Sequence, residues 1–156
     1  KPMDVHFMVS KPEVYAPRCF DIPMVGMISF HLEACPEPDS LLEQIRSKGI
    51  KAGLAINPDF PLEKLFPHLE HCDFILIMSV FAGFGGQKFI EESYSRIARL
   101  KQEIQSRHLD MEIEVDGGVN LENAARLSEC GADILVAGTA VFKAENPVEA
   151  IRAIRG

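Results

Sequence analysis

The segment that decides the fold reads MEIEVDGGVN, residues 111–120, and it runs an alternating strand into two adjacent glycines. Glu112, Glu114 and Asp116 alternate with apolar side chains, which is the period-two pattern of a β-strand with two unlike faces. A strand buried between two layers of helices would be apolar on both faces. The pattern therefore predicts that one face packs against helices and the other looks into a wetter interior that leads to a site.

Five other segments have the character of strands, and helical segments separate them. The six predicted strands cover residues 4–9, 25–32, 51–56, 74–80, 111–116 and 134–137. Strict alternation of strands with helices predicts a parallel sheet. Several strands repeat the polar face, as in His6 and Met8 or Ser29 and His31, and no G-x-G-x-x-G follows the first strand. The sequence therefore favours an α/β fold of the (β/α)₈ TIM barrel type, represented by six βα units, over a doubly wound sheet.

The helical segments differ in how strongly the sequence supports them. A stripe of apolar residues from Ile90 to Ile104 predicts a long amphipathic helix. Pro61 stands at a favourable first helical position and predicts a helix between the third and fourth strands. Pro17 and Pro23 interrupt the first connection, so its helix is expected to be short or irregular.

Composition limits the kinds of partner. The 156 residues carry a formal net charge of -7, which argues against a surface for nucleic acid or anionic membranes. No apolar run in the sequence is long enough to cross a bilayer. The four cysteines form no C-x-x-C and predict free thiols in a reducing compartment. We therefore expect a cytoplasmic protein with a single domain over residues 1–156.

The carboxyl ends of parallel strands meet at one rim, which is where barrels of this kind place their active sites. His6 and Asp116 come to that rim and are candidate metal ligands, because a neutral imidazole and a carboxylate suit zinc or ferrous iron. His6 is also explained as a hydrogen-bonded interior histidine, and Asp116 as a turn-capping residue. His31 and Glu33 lie nearby, and an interior hydrogen-bonded pair explains them at least as well as metal binding does.

Glycine-rich loops follow three consecutive strands. They read GFGGQ at 83–87, DGG at 116–118 and AGTA at 137–140. Such loops turn backbone N–H groups toward an anion, and barrel phosphate sites are often built from the loops after the last strands. Each loop alone is also explained as a flexible turn between a strand and a helix. Together they predict a phosphate site that holds its ligand through backbone amides.

Six motifs occur in the order of a known family. They are DVHFMVSKPE, FHLEAC, GLAINP, GFGGQKFI, IEVDGGVN and ADILVAGTAVF. Together they resemble the ribulose-phosphate 3-epimerase family of (β/α)₈ barrels, and the resemblance runs over essentially the whole chain. It implies an isomerase of the pentose phosphate pathway that interconverts D-ribulose 5-phosphate and D-xylulose 5-phosphate. Proton abstraction and return at C3 would pass through an enediolate that a divalent metal stabilises.

The resemblance implies roles for individual positions. Asp116 matches a metal ligand that is also one of the family's two proton-transfer aspartates, and His6 matches a metal-binding histidine that also contacts substrate. Met8 and Met78 match methionines that line the reaction face. The implied phosphate-binding residues are Gly83, Phe84, Gly85, Gly86, Gly117, Gly118, Gly138 and Thr139. The implied cofactor is one divalent metal ion, with zinc or iron ahead of manganese or cobalt. His31 and Glu33 belong to a separate family motif and are not among the implied ligands.

The chain departs from the family at its first two βα units, which this sequence does not contain. In the family they carry a substrate-binding serine, another methionine, and a His-x-Asp pair that supplies two metal ligands and the second catalytic aspartate. Because six strands of a closed barrel would leave two parallel edges open, we expect a partial chain rather than a truncated homologue. The alternatives left open are an epimerase of a six-carbon ketose phosphate and a non-catalytic phosphate-binding homologue. The expected partners are a small sugar phosphate and further copies of the chain in a homo-oligomer.

Overall fold

The computed structural model describes residues 1–81, 83 and 87–156, and within them it shows a six-stranded parallel sheet. The strands are β1 (Met3–Phe7), β2 (Val25–His31), β3 (Lys51–Ile56), β4 (Phe74–Met78), β5 (Glu112–Asp116) and β6 (Ile134–Val136). All six predicted strands are confirmed, and their ends lie within two residues of the predicted ends. Neighbours in the sheet follow chain order from β1 to β6, whereas a doubly wound sheet reverses its order partway. The architecture is that of a partial (β/α)₈ barrel.

Helices connect most of the strands. They are α1 (Pro12–Tyr15), α2 (Pro38–Arg46), α3 (Glu92–Ser106), α4 (Ala124–Cys130), α5 (Thr139–Phe142) and α6 (Pro147–Arg155). As the prolines predicted, α1 is a single turn that continues as a 3₁₀ turn. Within the described residues no helix has the length and apolar character needed to span a membrane.

The prediction of a helix that begins at Pro61 is wrong. Two short 3₁₀ segments, Leu62–Lys64 and Phe66–His71, connect β3 to β4 instead. Pro67 lies at the start of the second segment, has no N–H to donate, and would break an α-helix that ran through both. The apolar side chains of this connection still pack on the sheet, as the buried Leu65 shows.

The main core lies between the outer face of the sheet and the helices. From the central strands it takes alternate apolar residues such as Leu54, Ile75 and Ile113, which are fully buried. Ile97 contributes from α3, along the stripe that the sequence predicted. Burial of each such side chain contributes about 1.5–3 kcal/mol to folding. The four cysteines are free thiols, as predicted.

The inner face of the sheet carries the polar alternate residues of β1, β2 and β5 and curls around an interior. Asp4 on β1 lies close enough to Glu114 on β5 to raise the pKa of its carboxyl group, although three strands separate β1 from β5. In a flat sheet those two strands would lie about 19 Å apart. Lys51 on β3 also pairs with Glu112 on β5 across the intervening strand. The sheet is therefore strongly curled, and its polar alternate residues share one interior as the sequence predicted.

Apolar side chains fill part of this interior below the rim. Phe74 packs against Gly53 on the neighbouring strand, where a Cβ atom would lie only 2.6 Å from the phenyl ring. A small apolar cluster lies above it and consists of Ala55, Leu76, Met78 and Val80. These residues form an apolar layer just below the carboxyl-end rim.

Candidate active site at the carboxyl ends of the strands

A cavity of about 570 Å³ opens at the carboxyl ends of the strands, where barrels place their active sites. Most of the predicted site residues line it: Met8, Met78, Gly83, Asp116, Gly117, Gly118, Gly138 and Thr139. Phe84, Gly85 and Gly86, which were also predicted to bind phosphate, lie outside the described residues. The fold therefore brings residues from four separate strand ends together in one cavity.

Asp116, the last residue of β5, lies in the wall of this cavity. Its main-chain carbonyl accepts hydrogen bonds from the N–H and the Oγ of Ser79, at 2.8 and 3.0 Å. The Ser79 hydroxyl also lies 2.6 Å from the carbonyl oxygen of Gly117, and these contacts fix the ends of β4 and β5 together. Burial, followed by the charge of Asp4, raises the pKa of Asp116 above its ordinary value. A half-buried carboxylate of raised pKa is suited to accept a proton.

Gly117 and Gly118 form a turn that only glycine fits. Both have positive φ angles, 124° and 65°. A Cβ on Gly117 would lie 2.5 Å from a methyl carbon of Val80, and one on Gly118 would lie 2.7 Å from the backbone nitrogen of Phe89. The turn therefore packs directly on the segment that follows β4, and its bare backbone lines the cavity.

Two asparagines hold this turn from its far side. The Nδ2 groups of Asn120 and Asn123 donate to the carbonyl oxygen of Gly118 at 3.2 and 3.0 Å. Asn120 Oδ1 accepts from the N–H of Asn123, whose own Oδ1 accepts from the N–H of Asn120. A free carbonyl oxygen at Gly118 would repel an anion. These hydrogen bonds instead hold that oxygen within the turn. The sequence analysis missed Asn123, although its spacing of three from Asn120 is typical of reciprocal capping.

The loops after β4 and β6 complete the rim. Gly83 has a φ of 138°, and Gln87 donates from its Nε2 to the carbonyl of Phe81 at 2.7 Å, which ties residue 87 back to the end of the strand. Gly138 precedes α5 and accepts a hydrogen bond from the N–H of Val141 at 3.0 Å. Both loops thus present backbone to the cavity.

Lys88 is a cavity residue that the sequence analysis missed. It is the one cationic side chain among the described residues of the lining. In a chain of net charge -7 it supplies a local positive charge of the kind that binds phosphate. The signal was present in the sequence, since Lys88 directly follows the glycine motif GFGGQ.

His6 lies outside the cavity lining and belongs to a polar network beside it. Its Nδ1 is 2.9 Å from Ser29 Oγ, and its Nε2 is 3.2 Å from Nε2 of His31. His31 Nδ1 lies 3.1 Å from Glu33 Oε1, which also accepts from the backbone and side-chain N–H groups of Asn57. The hydrogen-bonded pair that was one explanation of His31 and Glu33 is therefore present, and it is connected to His6.

Burial and hydrogen bonding shift the pKa values of three ionisable groups in this interior. Burial, followed by the neighbouring His31, lowers the pKa of His6 to about 4, so the imidazole is neutral near pH 7. Burial acts to raise the pKa of Glu33, but hydrogen bonds from His31 and Asn57 outweigh it and the pKa lies below its ordinary value. Burial, followed by the Asp4 charge, raises the pKa of Glu114 well above its usual range.

His6 and Asp116 have the donor chemistry that a divalent metal needs. They lie two residues beyond Asp4 and Glu114 on the same faces of β1 and β5, and those two carboxyl groups meet across the interior. His6 and Asp116 therefore face the same interior one layer higher. Neutral imidazole and carboxylate fit zinc or iron. Across the described part of the chain, no three His, Cys, Asp or Glu side chains are grouped so that they could hold a metal, and His6 and Asp116 alone supply two donors.

Sequence comparison finds close relatives over almost the whole chain. Residues 1–142 match the model of the Ribulose-phosphate 3 epimerase family. The chain is 46% identical over 157 residues to a ribulose-phosphate 3-epimerase of Synechocystis and 40% identical over 156 residues to that of Bacillus subtilis. It is 38% identical over 154 residues to that of Mycobacterium tuberculosis. Each match covers 99% of this chain and 68%, 71% and 67% of the respective relative, so the chain spans about two thirds of their length.

Structural comparison finds the same fold at low sequence identity. A mutant tryptophan synthase alpha-subunit of Pyrococcus furiosus superposes with a TM-score of 0.66 at 17% identity, covering 99% of this chain and 64% of that one. The protein described as KGPDC from Streptococcus mutans gives a TM-score of 0.63 at 14% identity, covering 84% and 59%. At such identities the likeness concerns the fold alone.

Proposed function

The chain belongs to the ribulose-phosphate 3-epimerase family, and we propose that it interconverts D-ribulose 5-phosphate and D-xylulose 5-phosphate. The observation that carries this proposal is the cavity of about 570 Å³, which joins the carboxylate of Asp116 to glycine loops from three strand ends. A ketose phosphate needs an acid–base group beside its ketone and a place for its phosphate, and the cavity offers both. The proposal takes residues 1–156 as one domain of a ribulose-phosphate-binding barrel, in a cytoplasmic homo-oligomer.

Asp116 is the proposed proton-transfer residue on one face of the substrate. Inverting C3 requires that the proton beside the ketone is removed on one face and that a proton returns on the other. The raised pKa of Asp116, caused by burial and then by Asp4, brings this carboxyl closer to neutral pH, where acid–base exchange is most efficient. Met8 and Met78 line the same cavity and would shield the reacting carbons from water. The resemblance implies a second aspartate for the opposite face.

One divalent metal ion, zinc or iron, is part of the proposal, with His6 and Asp116 among its ligands. When bound, it would supply positive charge beside the oxygens of the enediolate. The hydrogen bond between His6 Nδ1 and Ser29 fixes the orientation of the ring. The low pKa of His6, caused first by burial, keeps the imidazole unprotonated and able to bind.

The proposed phosphate site is the glycine-lined side of the cavity. Gly83, Gly117, Gly118 and Gly138 line it with backbone, and Thr139 adds a hydroxyl group. Lys88 lies in the same lining and would balance the phosphate charge. The proposal extends to Phe84, Gly85 and Gly86 by resemblance alone.

The replacement Asp116→Asn tests the proposal, because it removes the base and keeps the shape of the side chain. We expect kcat to fall by about 10²–10⁴-fold in an assay of ribulose 5-phosphate epimerisation at saturating zinc or iron. The matched control is Asp21→Asn, an exposed residue away from the cavity, which should retain full activity.

Three results would count against the proposal in different ways. Turnover of Asp116→Asn within threefold of the parent protein would remove the role assigned to this carboxylate. A preference of the parent protein for a six-carbon ketose phosphate would change the substrate. Saturable binding of ribulose 5-phosphate without turnover would favour a non-catalytic phosphate-binding homologue.

A further inference from the structure

Residues 87–90 lead from the loop after β4 into α3, and hydrogen bonds tie both ends of this short segment to the end of β4. Gln87 donates from its Nε2 to the carbonyl oxygen of Phe81 at 2.7 Å. The N–H of Ile90 donates to the carbonyl oxygen of Ser79 at 2.9 Å. The two residues between these bonds both line the cavity. The segment is therefore held at each end while its middle faces the site.

Phe89, in the middle of this segment, occupies the space that a side chain on Gly118 would need. A Cβ on Gly118 would lie 2.7, 3.0 and 3.1 Å from the N, Cα and Cβ atoms of Phe89. The backbone of one residue therefore packs directly on the backbone of the other. Because Gly118 belongs to the loop after β5 and Phe89 to the connection after β4, this contact sets the spacing between two loops assigned to the phosphate.

The ring of Phe89 is held in turn by Tyr94 on α3. The two ring centroids are 4.8 Å apart and the ring planes are tilted by 48°, which lies within the range of favourable aromatic pairs. Tyr94 is buried, and the guanidinium carbon of Arg126 on α4 lies 3.7 Å from the centre of its ring. Arg126 also forms an ion pair with Glu91 at 3.3 Å. Phe89 is thus anchored to two helices of the outer layer.

Lys88 directly precedes Phe89 and brings a cationic side chain to the cavity lining. Lys88 is exposed, so its place depends on the backbone on either side of it more than on packing of its own side chain. A binding site functions well only when its groups keep their places within about 0.5 Å, which requires support from residues behind them. The bonds of Gln87 and the packing of Phe89 provide this support on the two sides of Lys88.

We propose that Phe89 and Tyr94 are positioning residues for the phosphate group of the substrate. Phe89 sets the distance between the turn at Gly118 and the segment that carries Lys88, and Tyr94 holds the ring of Phe89 in place. Both residues act through the groups that bind the phosphate, and neither takes part in proton transfer. This inference rests on the proposed function for the phosphate site, and it gives a role to two residues that the family resemblance leaves without one.

The replacements Tyr94→Leu and Tyr94→Phe form a matched pair, because phenylalanine keeps the ring between Phe89 and Arg126 and leucine removes it. In an assay of ribulose 5-phosphate epimerisation, we expect Tyr94→Leu to raise KM about 10-fold and to keep kcat within about threefold of the parent value. Contacts that hold the phosphate equally in the ground state and the transition state act on KM alone. Tyr94→Phe should restore the parent KM. A general loss of structure would lower kcat as well, and circular dichroism checks that each variant is folded.

Isothermal titration with inorganic phosphate tests the same inference without turnover. The parent protein and Tyr94→Phe should bind phosphate alike, and Tyr94→Leu should bind it about 10-fold more weakly, because displaced groups lose much of their effect. Equal phosphate affinity of the parent protein and folded Tyr94→Leu would overturn the inference and leave the proposed function intact. No phosphate binding by the parent protein would overturn both the inference and the proposed phosphate site.

Amide hydrogen exchange, followed by NMR in the absence of any ligand, measures the support directly. The N–H of Ile90, which donates to Ser79, should exchange at least about 10-fold faster in Tyr94→Leu than in the parent protein. The N–H of Ile113 in β5 is the internal control and should exchange at the parent rate. Unchanged exchange at Ile90 would show that Tyr94 does not hold this segment and would overturn the inference.

Discussion

Gly118 shows how one backbone position shapes the cavity. Its φ of 65° lies in the left-handed region, and its Cα hydrogen faces the backbone of Phe89, where a Cβ would come within 2.7 Å of the nitrogen. Both the backbone angle and the available space exclude a side chain. The DGG motif was predicted to bring amides to a ligand, and the structure adds that it also packs two loops together.

Replacing Gly118 by alanine should therefore lower stability. We expect Gly118→Ala to reduce the free energy of unfolding by about 1–3 kcal/mol, the usual cost of holding a non-glycine residue in the left-handed region. Urea denaturation followed by circular dichroism measures the change. Gly138→Ala is the matched control, since its φ of -90° suits alanine and no atom lies within 4 Å of the added Cβ. Equal stability of the two variants would contradict this explanation.

At the scale of elements, two aspartates set the register of strand pairs in the same way. Asp73 precedes β4 and accepts from the N–H of Ala52 on β3 at 2.8 Å. Asp133 precedes β6 and accepts from the N–H of Ile113 on β5 at 2.9 Å. Each aspartate also donates its own N–H to the carbonyl of the same partner at 2.8 Å. The similar segments CDFIL and ADILV thus enter the sheet through one repeated device.

Loss of one such aspartate should leave a buried donor without its partner. Asp133→Ala removes the carboxylate that accepts from the backbone N–H of Ile113, a fully buried residue. The replacement should lower the free energy of unfolding by about 1–3 kcal/mol. Thermal and urea unfolding measure this loss. The exposed Asp21→Ala serves as control and should change stability by less than about 0.5 kcal/mol. A loss no larger than that of the control would show that water replaces the carboxylate.

At the scale of the whole molecule, the curl of the sheet brings Asp4 on β1 close to Glu114 on β5. Two carboxyl groups this close repel each other when both are ionised, so a proton on one of them is favoured. Burial, followed by the Asp4 charge, raises the pKa of Glu114 in the folded chain. At this group the folded state therefore binds more protons than the unfolded state above the ordinary pKa of 4.5, and the contribution of Glu114 to stability falls as pH rises from there.

The replacement Glu114→Gln should remove this pH dependence. The parent protein should lose stability from about pH 5 upward, with a contribution from this group of at most about 1.4 kcal/mol per pH unit. Glutamine carries no charge at any pH, so the variant should show a flatter profile. Unfolding free energies between pH 5 and 9, measured with a chelator present, test this. Identical profiles for both proteins would show that Glu114 does not carry the proton.

The sequence by itself determined the order of strands, their inward and outward faces, and the loops that line the cavity. These are local properties, because period-two alternation, glycines and prolines act over a few residues. Met8, Met78 and Asp116 were predicted at the rim and line one cavity there. The connection after Pro61 was predicted wrongly, since propensity alone did not weigh Pro67 against a longer helix.

Only the tertiary structure decided which of these residues meet. The approach of His6 to His31 depends on the register of two strands, and the contact of Asp4 with Glu114 depends on the curl of the whole sheet. Lys88 enters the cavity because the segment after β4 folds back onto the turn at Gly118. Such distances are set by packing between segments far apart in the chain, and no local pattern records them.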